Sequence, residues 1–176
     1  MTVRVVLVAL TGAALLGSAV SAQQVTKRQI PGISTFAQIE STIACGGATT
    51  PDAIREIQRM GFRSVINVRL ASEPGALVEE EGVVARAAGL RYIHLPFDAN
   101  DPDPKLIDNF IAAVTARDNT PVYVHCAAGG RAAALWMVKR VKGDGWPVQR
   151  ALAEANALGL NDRFRPWVLN YLHTHP

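Results

Sequence analysis

Short runs of β-branched residues alternate with helical segments through most of this 176-residue chain. The runs 64–68, 92–95 and 121–125 predict strands because each is rich in Val, Ile or Tyr and is bounded by turn or polar residues. Helical patterns of about 10–15 residues separate them, which is typical of strands that pair in parallel through right-handed crossovers. We therefore predict a single α/β domain with a mainly parallel central sheet flanked by helices.

Local signals place the helices around those strands. Thr50 is a good N-cap, Pro51 suits the first helical position, and Gly61 favours the end of that helix. A second helix is predicted over 76–88, in which three consecutive glutamates, 79–81, indicate a solvated face. Further helices are predicted after Asp103 and near residues 131–142, 147–158 and 162–173.

The first 22 residues have the layout of a secretory signal peptide. A single positive side chain, Arg4, precedes an apolar stretch over 5–16, and Val20 and Ala22 occupy the −3 and −1 positions of a cleavage site. The alternative is an uncleaved membrane anchor, but an apolar core of about 12 residues is short against the roughly 20 that a span needs. We expect residues 1–22 to be removed and the mature protein to be secreted or periplasmic, without a membrane attachment.

The rest of the chain excludes several classes of protein. Residues 23–40 are polar and carry no strong period, so we predict a lead-in segment there and a folded domain over 41–176. The formal net charge of +3 is spread along the sequence and is too small to indicate a nucleic-acid partner. Two cysteines are too few for a disulfide framework or a four-cysteine zinc site. We expect neither a metal nor another cofactor.

The strand 121–125 is followed at once by a cysteine, a turn of small residues and an arginine that opens the next helix. Cys126 thus lies at the carboxyl end of a strand, where α/β sheets bind their ligands. Backbone N–H groups at a helix N-terminus form an anion cradle, and the same field stabilises a thiolate. Arg131 adds a planar fork for an oxyanion. The alternative is a buried structural cysteine, but this setting favours a reactive one. The predicted cradle comprises Ala127, Ala128, Gly129 and Gly130.

The segment His-Cys-Ala-Ala-Gly-Gly-Arg over 125–131 resembles the phosphate-binding loop of cysteine-dependent protein tyrosine and dual-specificity phosphatases. Two further stretches, 45–69 and 88–98, resemble the opening and the acid-loop strand of the bacterial, beta-lactamase hydrolase-like and atypical dual-specificity members. The likeness extends over roughly residues 40–160. It implies a three-layer dual-specificity-phosphatase-like fold, a phosphorylated substrate and hydrolysis without a cofactor.

The resemblance also implies a role for each residue of the site. Cys126 would attack phosphorus and form a phosphocysteine, while the loop amides and Arg131 hold the phosphate oxygens. A carboxylic acid on the loop after the strand 92–95 would protonate the leaving oxygen. Asp98 and Asp101 are both candidates for this acid.

Supporting roles are predicted for residues around the loop. His125 points to the opposite side of its strand from the nucleophile, so we expect it to orient the thiolate through a hydrogen bond to the loop backbone rather than to act as a base. Arg69 either supports the site or simply pairs with Glu73. Cys45 is predicted to be a buried thiol rather than a disulfide partner of Cys126.

One departure from the phosphatase pattern leaves other functions open. The family's loop has five residues between Cys and Arg and often a Ser or Thr after the Arg, whereas four residues separate Cys126 from Arg131 and Ala132 follows. The shorter ring resembles that of rhodanese-type sulfurtransferases, in which the cysteine holds a persulfide. Asn67 stands where that family would have an aspartate, which favours phosphate chemistry. A non-catalytic module that binds phosphorylated or sulfated ligands is the third alternative.

Overall fold

A six-stranded sheet lies at the centre of the computed structural model, which describes residues 24–39 and 41–176. The strands are β1 (Val25–Lys27), β2 (Phe36–Ile39), β3 (Ile43–Gly46), β4 (Ser64–Asn67), β5 (Arg91–His94) and β6 (Val122–His125). Their order across the sheet is β1-β2-β3-β6-β4-β5. The last four strands in that order pair in parallel, whereas β1 with β2 and β2 with β3 pair antiparallel. The predicted mainly parallel sheet is therefore confirmed.

Helices cover both faces of this sheet. They are α1 (Pro51–Arg59), α2 (Val78–Ala87), α3 (Leu106–Thr115), α4 (Gly130–Val138), α5 (Val148–Leu158) and α6 (Arg165–Thr174). On one face, Ile57 of α1 and Ala85 of α2 belong to the buried cluster around Tyr123. On the other, α3 to α6 bury their apolar sides in a larger cluster that contains Phe110 and Val124. This is the predicted three-layer α/β arrangement. Among the described residues, no helix is long and apolar enough to cross a membrane.

The start of α1 agrees with its sequence signals. The N–H of Ala53 donates to Oγ1 of Thr50 at 3.4 Å, and Pro51 occupies the first helical position. Gly61 follows the helix with a φ of +88°, a conformation in which a side chain would be strained. Thr50 and Gly61 thus mark the two ends of the helix that connects β3 to β4.

The lead-in segment predicted for 23–40 is wrong, because most of it belongs to the sheet. Strands β1 and β2 extend the sheet beyond β3, and Phe36 and Ile39 are 3% and 0% exposed. The two strands have three and four residues and are interrupted by a turn at Pro31 and Gly32, so neither is long enough to show a periodicity. The structured domain therefore begins well before residue 41. The predicted signal peptide, 1–22, lies outside the described residues.

The parallel registers gather three strand ends at one edge of the sheet. His125 at the end of β6 is level with Gly46 at the end of β3 and with Asn67 at the end of β4. The chain beyond each of these residues therefore converges on one region above the sheet.

Candidate active site

Cys126 is the first residue beyond the central strand β6. Its side chain is buried, with 1% of the residue exposed. Its backbone N–H donates to the carbonyl oxygen of Gly46 at 3.1 Å, and the N–H of Val68 donates to the carbonyl oxygen of His125 at 3.0 Å. The nucleophile candidate is thus held between the ends of β3 and β4, at the edge where the sequence predicts a ligand site.

The β3–α1 connection braces the loop from one side. The N–H of Ala48 donates to the carbonyl oxygen of Ala127 at 2.9 Å, and Gly47 forms an isolated antiparallel bridge with Ala128. A Cβ at Gly46 would overlap the hydroxyl of Tyr123, so only glycine fits there. The two glycines before Ala48 are therefore part of the loop's support, a role that sequence reasoning did not assign to them.

The turn between β6 and α4 directs backbone N–H groups toward the sulfur. Gly129 has a φ of +87°, which favours glycine, and its N–H donates to Sγ of Cys126 at 3.1 Å. Helix α4 begins at the next residue, so the N–H groups of its first turn have no acceptor within the helix. The loop for which the sequence predicts an anion cradle thus leads into a helix N-terminus, and Ala127 and Ala128 are exposed.

Arg131 is held in place by a carboxylate that lies 58 residues earlier in the chain. Its Nη1 and Nη2 donate to Oε1 and Oε2 of Glu73 at 2.5 and 2.7 Å, and Nη1 also donates to the carbonyl oxygen of Phe97 at 3.2 Å. Burial on its own would lower the pKa of Arg131, but the bonds to Glu73 and the proximity of Cys126 outweigh burial and raise it. The guanidinium is therefore a fixed positive charge beside the sulfur.

A count of donors shows what Arg131 can still bind. A guanidinium has five N–H groups, and Glu73 and the carbonyl oxygen of Phe97 engage three of them. The other two, on Nε and Nη2, have no oxygen acceptor among the described residues, and they share one edge of the guanidinium plane. Two parallel N–H groups on one edge are the arrangement that binds two oxygens of a phosphate.

Glu73 joins both arginines that the sequence singled out. Besides Arg131, it contacts Nε of Arg69 at 3.3 Å and accepts from the N–H of Leu70 at 2.8 Å. Burial raises the pKa of this carboxyl, but the hydrogen bonds from Arg131, Leu70 and Arg69 outweigh it and lower the pKa to about 2. Arg69 therefore pairs with Glu73 and, through Glu73, supports Arg131. The pairing of Glu73 with Arg131 could not be predicted from the sequence, because 58 residues separate them.

Glu73→Gln should lower the free energy of unfolding by about 1 kcal/mol at pH 7, as expected for a partly exposed ion pair. Because the folded pKa of about 2 lies below the ordinary value of 4.5, the stabilisation is complete above pH 4.5 and is lost as the pH falls toward 2. Urea unfolding of both proteins at pH 7 and pH 3 should show a smaller difference at pH 3. Glu80→Gln, at an exposed position, is the control, and a difference independent of pH would contradict the assignment.

A cavity of about 510 Å³ opens above Cys126 and Arg131. Its lining comprises Leu70, Glu73, Phe97, Asp98, Ala99, Asn100, Cys126, Ala127, Ala128, Gly130, Arg131, Asn161, Arg163 and Phe164. Of the two acid candidates, Asp98 lies in this lining and Asp101 is exposed outside it. Oδ1 of Asp98 accepts from the N–H of Asn100 at 2.9 Å, which fixes its side chain in a turn. A larger groove of about 750 Å³ lies beside α1 and contains none of the predicted site residues.

Sequence reasoning missed the contribution of the α5–α6 connection to the cavity. Arg163 and Phe164 fall within the helix predicted near 162–173, Asn161 lies just before it, and the sequence indicates no site role for any of the three. A Cβ at Gly130 would lie 2.5 Å from Nδ2 of Asn161, so this segment packs directly on the loop. No local signal marks these residues, because the packing of α6 on α4 alone brings them to the cavity.

The side chain of His125 contacts Glu81 and Tyr123 rather than the loop that follows Cys126. Its Nε2 lies 3.2 Å from Oε2 of Glu81, and its ring stacks on Tyr123 with centroids 5.5 Å apart. The predicted hydrogen bond to the loop backbone is not formed, because Nδ1 of His125 has no partner among the described residues. Alternation along β6 explains this, since it directs His125 toward α2 and Cys126 toward the opposite face.

The prediction that Glu79–Glu81 forms a solvated face is wrong for Glu81. This residue is 0% exposed, and its Oε2 accepts from Nδ2 of Asn67 at 2.6 Å and from the hydroxyl of Tyr92 at 3.1 Å. Helical periodicity turns this one glutamate of the three toward the sheet. Glu81 and His125 therefore lie on the face of β6 opposite to the side chain of Cys126.

The second cysteine agrees with its prediction. Cys45 is 1% exposed and free, as is Cys126, so no disulfide joins them. Burial, with smaller contributions from Cys126 and Glu154, raises the pKa of the Cys45 thiol, which keeps it protonated and unreactive. No group of three or more His, Cys, Asp or Glu side chains in the described part of the chain is arranged to hold a metal ion.

The fold is similar to the folds of solved structures. A crystal structure of a DUF442 protein from Shewanella putrefaciens CN-32 superposes with a TM-score of 0.66 at 22% identity, covering 81% of this chain and 89% of that one. TpbA of P. aeruginosa superposes with a TM-score of 0.66 at 18% identity, covering 89% and 92% of the two chains. At these identities the likeness concerns the fold.

Sequence comparison defines the family. A beta-lactamase hydrolase-like protein of Xylella fastidiosa (strain Temecula1 / ATCC 700964) is 32% identical over 107 residues, which are 58% of this chain. The matched region is 24% of that relative, so the chain corresponds to about a quarter of its length. The family model described as beta-lactamase hydrolase-like protein, phosphatase-like domain, matches residues 35–142, which is more than half of the sequence. The chain therefore belongs to the phosphatase-like domain family of the beta-lactamase hydrolase-like proteins.

Proposed function

We propose that this protein is a cysteine-dependent phosphatase that hydrolyses phosphate monoesters. The observation that carries the proposal is the guanidinium edge of Arg131 that has no oxygen acceptor among the described residues and lies beside the Cys126 sulfur at the floor of one cavity. The N–H of Gly129 and the first turn of α4 add donors around the same point. A nucleophile and a set of fixed donors for three phosphate oxygens are what phosphoryl transfer to cysteine requires.

In the first step, the Cys126 thiolate attacks phosphorus, and the S–P bond forms as the bond to the leaving oxygen breaks. The loop N–H groups and the free edge of Arg131 bind the oxygens on which charge accumulates. A carboxylic acid in the cavity donates its proton to the leaving oxygen, so that an alcohol rather than an alkoxide departs. Asp98 lies in the lining at the mouth and is our candidate for this acid.

In the second step, water attacks the phosphocysteine, and the P–S bond breaks to restore the thiolate. The carboxylate formed in the first step accepts the proton of the water. Ala132 provides no hydroxyl to assist the departing sulfur, so the N–H of Gly129 on Sγ is the donor that stabilises the thiolate. We expect this second step to be the slower one for that reason.

Asp98→Asn should lower kcat/KM, which reports the first step, by about 10²-fold for phenyl phosphate, because loss of a general acid is most damaging when the leaving group is basic. The effect should be much smaller with 4-nitrophenyl phosphate, whose leaving group needs little protonation. Asp101→Asn, outside the cavity, should change neither rate by more than about threefold. Steady-state rates with both substrates test this, and an equal or larger effect at Asp101 would assign the acid there instead.

Phosphate release from 4-nitrophenyl phosphate and from phosphotyrosine by reduced protein covering 23–176 is the direct test of the proposed function. A crystal structure of a cysteine-to-serine variant of TpbA contains phosphotyrosine, which supports including this substrate. The family match supports a phosphatase-like domain in general. Failure to release phosphate from either substrate, with Cys126 shown to be reduced, would count against the proposal.

Sulfur transfer is the second candidate, and the observation that favours it is the short loop. Only four residues separate Cys126 from Arg131, so the ring encloses less space than a five-residue loop. Attack of the Cys126 thiolate on the outer sulfur of thiosulfate would break the S–S bond, release sulfite and leave a persulfide that adds the mass of one sulfur atom to the protein. Mass spectrometry of the treated protein distinguishes this candidate from the phosphatase, for which we expect no such addition.

We also propose that the protein is exported, on the sequence layout of residues 1–22. Export would place the protein in an oxidising compartment, where Cys126 must remain reduced to act. The whole chain, expressed in a bacterium and recovered from the periplasmic fraction, should have Gln23 as its N-terminal residue. Recovery of the chain with residues 1–22 still attached would overturn cleavage.

A further inference from the structure

The cavity has a buried floor and an exposed mouth. Cys126 and Arg131 form the floor, with 1% and 8% of each residue exposed. Arg163 lies in the lining as well, but it is exposed. A substrate whose phosphate reaches Cys126 therefore places the rest of its structure toward the mouth, beside a second arginine.

Arg131 and Arg163 differ in whether a carboxylate of the protein neutralises their charge. Arg131 forms a bidentate ion pair with Glu73. Arg163 has no carboxylate within ion-pair distance among the described residues, and its guanidinium lies 5.4 Å from the ring of Phe164. Arg163 is therefore the cation of the cavity lining whose charge is left uncompensated by the protein.

Arg163 also belongs to a turn that is fixed relative to the loop. The side chain of Asn161 packs against Gly130, and the backbone carbonyl oxygen of Asn161 accepts from the N–H groups of Phe164 at 3.1 Å and Arg165 at 3.0 Å. Phe164 is 8% exposed, and its ring packs against that of Phe97 at 6.0 Å between centroids. The base of the Arg163 side chain is thus anchored by Asn161 and Phe164, which reduces the entropy lost when a ligand binds.

We propose that Arg163 forms a second anion subsite, and that the preferred substrates are small phosphate monoesters that carry a second anionic group. The second group would pair with Arg163 at the mouth while the phosphate that is removed lies at Cys126. A cavity of about 510 Å³ is within the range for small-molecule sites and is far larger than a phosphate group alone needs. This inference rests on the proposed function for its biological meaning, but its binding test does not depend on turnover.

Three probes share one aryl phosphate and differ only in the group at the far end of the ring. They are 4-(carboxymethyl)phenyl phosphate, its neutral methyl ester, and 4-(phosphonomethyl)phenyl phosphate. Calorimetry with Cys126→Ser should show that both charged probes bind about fivefold more tightly than the ester, as an exposed ion pair allows. A preference for the phosphonate alone would identify a second phosphate, rather than a carboxylate, as the group recognised.

Adding Arg163→Gln to Cys126→Ser should reduce the ratio of the dissociation constant of the ester to that of each charged probe to about one. Adding Arg165→Gln is the matched control, because Arg165 is two residues away and outside the lining, and the ratio should remain. A ratio of one in Cys126→Ser, a ratio unaffected by Arg163→Gln, or no binding of any probe would each overturn the subsite. If the ratio behaves as expected but the wild type releases no phosphate, the subsite stands and the proposed phosphatase activity fails.

Discussion

Serine in place of Cys126 should reduce phosphate release from 4-nitrophenyl phosphate by at least about 10⁴-fold. A mechanism that passes through a covalent intermediate depends on its nucleophile, and removal of such a group costs several powers of ten. The site is arranged for an anionic sulfur: the N–H of Gly129 donates to Sγ, and α4 begins at the next residue. A serine hydroxyl at the same position stays protonated near neutral pH, so these donors gain nothing from it.

Cys45→Ala provides the matched control for this prediction. Cys45 is equally buried, on the neighbouring strand β3, but its thiol is free and outside the lining of the cavity. The control should retain the turnover of the wild type and should establish that loss of a buried thiol is not itself the cause. Substantial turnover by Cys126→Ser would refute the covalent mechanism. Equal loss in both variants would instead attribute the effect to packing.

The second large effect is expected at Arg131, where lysine should lower kcat/KM by about 10²–10³-fold. The guanidinium uses three N–H groups on Glu73 and the carbonyl oxygen of Phe97 and keeps two on one edge for the substrate. An ammonium group has three donors around a single atom and cannot serve both sets. The loss should appear mainly in kcat, because the equatorial oxygens carry more charge in the transition state than in the bound substrate.

Arg69→Lys is the control for the Arg131 prediction. Arg69 is also buried and also contacts Glu73, and its remaining bonds go to the carbonyl oxygens of Pro74 and Gly75 at 2.7 Å each. Arg69→Lys should lower the free energy of unfolding about as much as Arg131→Lys does, but it should reduce kcat/KM by less than about tenfold. Paired measurements of urea unfolding and steady-state kinetics separate the two roles. A similar kinetic loss in both variants would show that Arg131 acts only by supporting the fold.

The loop from Cys126 to Arg131 could be predicted because its residues are close together in the sequence. Cys126, the two glycines and Arg131 lie within six consecutive residues at a strand-to-helix junction, so their proximity needs no tertiary information. The strands and helices around this loop can also be predicted from short sequence segments, because hydrophobic periodicity and capping residues extend over only a few residues. Strands β1 and β2 were missed because these three- and four-residue strands are stabilised by pairing, β1 with β2 and β2 with β3, rather than by their own pattern.

The sequence by itself determined strands β4, β5 and β6, the helices around them and the short loop from Cys126 to Arg131, because each depends on residues close together in the chain. The tertiary structure decided which carboxylate holds Arg131, that Glu81 is buried behind His125, and that Arg163 lies at the mouth. These contacts join residues 30 to 60 positions apart, as with the 58 residues between Glu73 and Arg131. The packing of whole helices and loops on the sheet sets such distances, and no local spacing encodes them.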